Sequence, residues 1–222
     1  MIVVVGSRHD SVATDLVALW PRAALCSAED LVRPGWVWRH GQPASRTWIV
    51  DTRPVRDEEV TGVFIRRSAV YAEELVTTHP ADRTYLATEA HAFLTFVLAT
   101  TSARVVNPVI DGAFGEEALR PERWTAVASE VGISVRSARV ASEPRRRTRY
   151  RAYEVEVVGG EVFGDGPARI LEGARCLTNV LGVVWGALLF DARNRLITVT
   201  GARRPSDAAA VALGRLLEAW RS

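Results

Sequence analysis

The chain has 222 residues, of which 48% are hydrophobic and 24% charged, and its net charge is +2. That balance describes a globular chain able to bury a sizeable core and excludes a disordered or collagen-like one. All 28 basic side chains are arginines, which also excludes a Walker-type phosphate loop and Schiff-base chemistry, since both need a lysine.

No apolar stretch, 180–190 included, reaches the roughly 20 residues that cross a bilayer. The N-terminus lacks the basic start and cleavage site of a signal peptide. Cys26 and Cys176 are the only cysteines and stand far apart, which suits a reducing compartment. The expectation is a cytoplasmic protein with no membrane partner. His9, His40, His79 and His91 form no pair with zinc-ligand spacing, so no metal site is expected.

In chain order, Ile2 to Val5 reads as a buried strand, followed by a Gly6 turn and a helix from Ser11 to Trp20. The glycine spacing does not match a dinucleotide fingerprint. His9 beside Asp10 has no visible nucleophile to serve as a base. Ala23 to Leu25 is a short second strand. Trp36-Val37-Trp38 and Trp48-Ile49-Val50 read as strands or a hairpin, their tryptophans serving either the core or an interface. Val63 to Ile65 is a further strand that ends at Arg66-Arg67. Asp82 to Thr101 carries a helical apolar stripe, and Arg104 to Val106 is a strand stopped at Pro108.

Glu122 to Val131 reads as a helix closed by Gly132, and Ser134 to Val140 alternates like a strand. The run Arg145, Arg146, Arg147, Arg149 suits a solvated loop or a site for an acidic peptide or protein partner. Nucleic acid is not expected, because total charge is nearly balanced and no reader motif is present. Tyr153 to Gly164 is a β-hairpin turned at Gly159-Gly160. Ala168 to Leu181 is an amphipathic helix, Val183 to Phe190 and Arg195 to Thr200 are an antiparallel pair, and Ala208 to Trp220 is the last helix. The fold class is therefore α/β: a parallel-sheet lobe, then an α+β lobe with antiparallel strands, joined near residues 105 to 145.

Phe64-Ile65-Arg66-Arg67, a helix holding Glu89, Val106-Asn107-Pro108, Arg120-Pro121 before Trp124, and Gly132-Ile133 follow one another in order. Leu181-Gly182-Val183-Val184-Trp185-Gly186 and Leu189-Phe190-Asp191 come later. In these pieces the chain resembles the peptide-modifying branch of the ATP-grasp ligases, enzymes that cyclise or extend ribosomally made peptides. The resemblance implies a pre-ATP-grasp-like lobe over 1–106 and a truncated ATP-grasp-like lobe over 107–222. It also implies a substrate cleft lined by Arg66, Arg67, Glu89, Asn107 and Arg151; the alternative is that these residues make a structural ion pair and a turn cap.

Three features depart from the family pattern. Only about ten residues separate Val140 from Arg151, where a family member inserts a flap with a glycine-rich loop and an ATP-binding lysine. Asp191 stands where the first metal carboxylate belongs, but the next strand reads Ile197-Thr198-Val199-Thr200 where the family has Glu-x-Asn. Arg120 replaces a phosphate-binding lysine. A residual nucleotide site, if kept, would use Arg120 and Asp191.

The expected function is thus a non-catalytic, ATP-grasp-like protein that binds a peptide, its leader segment or a partner biosynthetic enzyme and holds no cofactor. ATP and magnesium belong to the alternative, an active carboxylate-amine ligase with an abbreviated nucleotide clamp. An oligomeric structural protein, with further copies of itself as partners, is the third expectation.

Overall fold

The structure is a computed structural model that describes residues 1–39, 41–42, 45–107, 119–136, 152–201 and 203–219. The chain divides into two units: Met1–Ala118 with Ala210–Ser222, and Leu119–Ala209.

The first unit is built on four parallel strands, β1 (Ile2–Val5), β2 (Ala23–Cys26), β5 (Gly62–Ile65) and β6 (Arg104–Val106), in the order β2-β1-β5-β6. All four residues of β1 and of β5 are buried. A parallel sheet covered on both faces demands such unbroken apolar runs, and this is why both strands are legible as sequence. On one face Val3, Val5, Val63 and Ile65 pack with α3 (Arg83–Thr100), which contributes Ala90, Leu94 and Val97. On the other lies α1 (Ser11–Leu19), whose following residue Trp20 meets Phe64 edge-on and donates its indole N–H to Ala210 O at 2.8 Å. A Cβ on Gly62 would stand 2.4 Å from Leu217 Cδ2, so the helix α6 (Asp207–Glu218) reaches the sheet only because β5 begins with glycine.

Trp48 sits in β3 (Thr47–Val50), but its strand partner is β4 (Arg53–Arg56). Trp36 to Trp38 meets β3 through a single bridge, Val37 with Thr47. The two-residue turn Asp51-Thr52 holds both residues at positive φ, 47° and 65°. Hairpins favour that geometry for its twist, although Asp-Thr lacks the glycine that usually signals it. Outside contacts hold the turn: Thr52 N–H donates to Asp30 Oδ1 and Asp51 N–H to Leu25 O. The short helix α2 (Ala28–Leu31) supplies that aspartate, with Ser27 and Asp30 closing a capping box at its start. Trp36, Trp38 and Trp48 form one aromatic cluster with Phe93, so these tryptophans serve the core.

The second unit is an antiparallel sheet in the order β10-β9-β7-β8, from β7 (Ala152–Val158), β8 (Glu161–Phe163), β9 (Trp185–Asp191) and β10 (Leu196–Thr200). The helices α4 (Pro121–Glu130) and α5 (Ala168–Leu181) pack on one face, against Val155, Val157, Leu188 and Phe190. Gly182 closes α5 at φ 69°, in the left-handed conformation that glycine adopts without cost. Of the expected strand from Ser134 to Val140, Val135 bridges Leu196 in parallel, and residues 137–140 lie outside those described. Among the described residues no helix is long and apolar enough to cross a membrane.

Candidate functional site

In the first unit the chain steps from β1 to β2 on one side, then to β5 and β6 on the other. The order reverses between β1 and β5, and the crevice beyond the carboxyl ends at such a point is where open α/β sheets hold ligands. Arg66 and Arg67 follow β5 there, Asn107 follows β6, and Gly6 to Asp10 follow β1. Arg66 Nε donates to Asp10 Oδ2 at 3.1 Å, while Asp10 Oδ1 accepts Val12 N–H and so caps α1. Asp10 is therefore engaged in structure, and His9 is exposed beside it.

Arg67 is buried and pairs with Glu74 through both terminal nitrogens, at 3.2 and 3.1 Å, while Nη2 also donates to Gly6 O at 2.8 Å. Its Nε–H is buried and meets no acceptor among the described residues. An unmet buried donor on a cation is costly, and an incoming oxygen would relieve it. Cys26, at the end of β2, has its thiol pushed well up, first by burial, next by the negative charge of Asp30, with Arg67 opposing. It is a small core residue and no nucleophile. Asn107 is buried with φ 57°, a conformation asparagine tolerates better than most residues. Glu89 lies exposed on α3. Arg151 and the run Arg145, Arg146, Arg147 and Arg149 lie outside the described residues.

The second unit gathers acids on the sheet face turned away from α4 and α5. Alternation puts Glu154 and Glu156 of β7, Asp191 of β9, and Thr198 and Thr200 of β10 on that face. Each acid has a partner. Glu154 pairs with Arg203. Glu156 is buried and accepts Ser206 N–H through both oxygens, at 3.0 and 3.2 Å, just before α6.

Asp191 Oδ1 accepts the N–H groups of Arg193 and Arg195 at 2.9 and 3.0 Å, and Oδ2 accepts Arg195 Nε at 2.9 Å with Nη2 at 2.8 Å. Burial alone would raise its pKa, but the Arg195 hydrogen bonds, the Arg193 amide and the Arg195 charge outweigh it and hold the carboxyl below its usual range. Tyr153, stacked on Phe190, donates to Asn194 Oδ1 across the same turn, and its own pKa is raised by burial and then by Asp191.

Magnesium needs anionic oxygens directed at it to offset its dehydration. Asp191 is neutralised by its neighbour four residues on, and the threonines opposite are uncharged, so these residues do not fit the ion that the ATP-grasp resemblance implies. Among the described residues no three His, Cys, Asp or Glu side chains gather into a group that could hold a metal. Arg120 stands exposed just before α4. Reading the sequence missed Glu74, Glu156 and Arg195. Only Arg195 had a local signal, four residues past Asp191 across an Asp-x-x-Asn turn.

The fold is similar to that of solved ATP-grasp ligases. No protein-family model and no curated protein matches the chain. Among solved structures, the macrocyclase MdnC bound with precursor peptide MdnA from Microcystis aeruginosa MRC superposes with a TM-score of 0.72 at 13% identity, covering 98% of this chain and 99% of that one. A Chryseobacterium gregarium RiPP-associated ATP-grasp ligase, in complex with ADP and a leader and core peptide, gives 0.68 at 11% identity, over 97% and 96%. The ATP-grasp ligase PsnB complexed with a minimal precursor gives 0.67 at 13% identity, over 100% and 98%. At such identities the likeness is one of fold.

Proposed function

We propose that the chain is a non-catalytic binding protein of a peptide-maturation pathway, built on the ATP-grasp fold. It takes a peptide, its leader segment or a partner enzyme at the carboxyl end of the parallel sheet, through Arg66, Arg67 and Asn107, with Glu89 and Arg151 as further contacts. Arg145, Arg146, Arg147 and Arg149 serve an acidic stretch of the partner. The observation that carries this reading is the engagement of both Asp191 oxygens by Arg195 and the turn amides. Without a carboxylate to offer, the site where a ligase would hold magnesium and triphosphate has no purchase on either. The shortened segment between Val140 and Arg151 and the absence of lysine support the same loss. The unmet Nε–H of buried Arg67 supports a ligand carboxylate or carbonyl at the sheet end.

Isothermal titration of the full chain with ATP and magnesium tests the reading. No heat of binding and no ADP release are expected, and micromolar binding with turnover would sink it. The match over nearly the whole length of a ligase solved with ADP favours a second reading, an active carboxylate-amine ligase with an abbreviated clamp. That reading requires ADP release in the presence of peptide and magnesium, abolished by Arg120→Ala and by Asp191→Ala.

A further inference from the structure

In the second unit, α4 and the segment after it enclose an open groove of about 380 Å³, lined by Thr125, Ser129, Gly132, Ile133, Ser134 and Val135. Such a volume is in the range of ligand pockets, roughly 300–1,000 Å³. None of these residues belongs to the sheet-end cluster or to the acidic face.

One wall of the groove is a strand edge. Ser134 O accepts Leu196 N–H and Arg136 N–H donates to Leu196 O, both at 2.8 Å, which adds the segment to β10 as a parallel bridge. In that pattern the N–H and C=O of the intervening residue point the opposite way. Val135 accordingly makes no backbone hydrogen bond among the described residues, and it lines the groove. An unpaired strand edge is a template for one more strand.

The other wall is α4, and its spacing matches such a strand. Thr125 and Ser129 are four residues apart, about 6 Å along a helix, while every second side chain of an extended peptide is about 6.7 Å from the last. Successive side chains on one edge of the peptide would therefore meet successive hydroxyls. The floor is fixed: Ile133 is buried, its N–H donates to Ala128 O, and a Cβ on Gly173 of α5 would lie 3.0 Å from Ile133 Cγ1. At the rim the exposed Arg169 places Nη2 3.3 Å from Gly132 O. Its remaining donors offer a cation to a carboxylate passing that end.

We propose that this groove is a strand-docking site: it takes an extended peptide whose main chain pairs with the N–H and C=O of Val135 and whose acidic side chain reaches Arg169. The inference rests on the reading that the chain binds a peptide, and it adds to the sheet-end contact a second docking place, in which the peptide is extended. Paired main chain supplies affinity in this mode and alternate side chains supply selectivity.

The test uses the full chain and a fluorescein-labelled hexapeptide that alternates valine and threonine and ends in an amidated glutamate. Two companions carry N-methyl groups on alternate residues or glutamine in place of glutamate. The parent peptide should bind saturably and slow amide exchange at Val135. N-methylation should weaken binding about tenfold or more, as loss of main-chain pairing does. Glutamine should weaken it several-fold in the wild type and have no further effect in Arg169→Gln.

Ser129→Trp and, as a second blocking variant, Thr125→Trp replace exposed side chains and should fold with unchanged circular dichroism while losing the peptide. Wild-type affinity in both tryptophan variants, or unchanged Val135 exchange at saturation, would overturn the groove. If peptide binding is then lost in Arg67→Gln, the broader reading stands without it. If the wild type binds no peptide of either kind, both fall.

Discussion

The two units treat charge in opposite ways. At the carboxyl end of the parallel sheet the cation is the buried partner: the Arg66 and Arg67 side chains are 8% and 4% exposed against 21% and 19% for Asp10 and Glu74. On the antiparallel sheet the anion is buried, Asp191 being 2% exposed against 37% for Arg195. A buried charge must keep a counterpart, but the more exposed member of a pair can turn to water at small cost. In the first unit the more exposed member of each of these pairs is thus an acid. In the second the more exposed member is a cation, Arg195.

The largest test of this contrast is Arg67→Ala. It removes the Arg67 donors from Glu74 and Gly6 O and should cost about 3 kcal/mol in urea unfolding. Glu74→Gln, which removes the less buried charge but keeps an amide oxygen to accept from Arg67, should cost less, about 1 kcal/mol, and tighten binding of a peptide carboxylate. Equal losses from both would break the asymmetry.

Asp191→Asn should cost about 2 kcal/mol at neutral pH, because two turn amides and Arg195 keep only a neutral acceptor. Its folded pKa lies below that of the unfolded chain, so the native state binds fewer protons and the charge contributes fully above the ordinary carboxylate range. The stability gap between wild type and variant should hold steady above about pH 5 and close as pH falls toward the depressed pKa. A pH-independent gap would mean that the turn, and not the charge, is what Asp191 supplies. Smaller still, Glu156→Gln weakens the hold on Ser206 N–H ahead of α6 and should lower stability by about 1 kcal/mol, seen as a lower Tm. Arg203→Ala removes a half-exposed partner of Glu154 and should change unfolding free energy by about 0.5 kcal/mol or less. A larger effect would make the outer face depend on Arg203 as the sheet end depends on Arg67.

Much of the scaffold was legible because its signals are local. The β-branched run Ile2 to Val5, the stripe of α3, the Gly159-Gly160 turn and the Gly182 stop each depend on residues within a turn or two. β4 was not legible: Arg53-Pro54-Val55-Arg56 has the composition of a loop, and its turn carries Asp51-Thr52 in a conformation that distant contacts from Asp30 and Leu25 hold in place. The sheet-end residues Arg66, Arg67 and Asn107 were legible as the ends of strands. Their partners were not.

The amino-acid sequence by itself determined the α/β class, the order of most strands and helices, the lack of lysine and the threonines of β10. Only the tertiary structure decided which acids are spoken for: Asp10 lies 56 positions from Arg66 and Glu156 lies 50 from Ser206. Periodicity and propensity report on neighbours along the chain, whereas a buried ion pair or an open strand edge depends on which segments folding brings together. The N–H and C=O of Val135, unpaired among the described residues, are of that second kind.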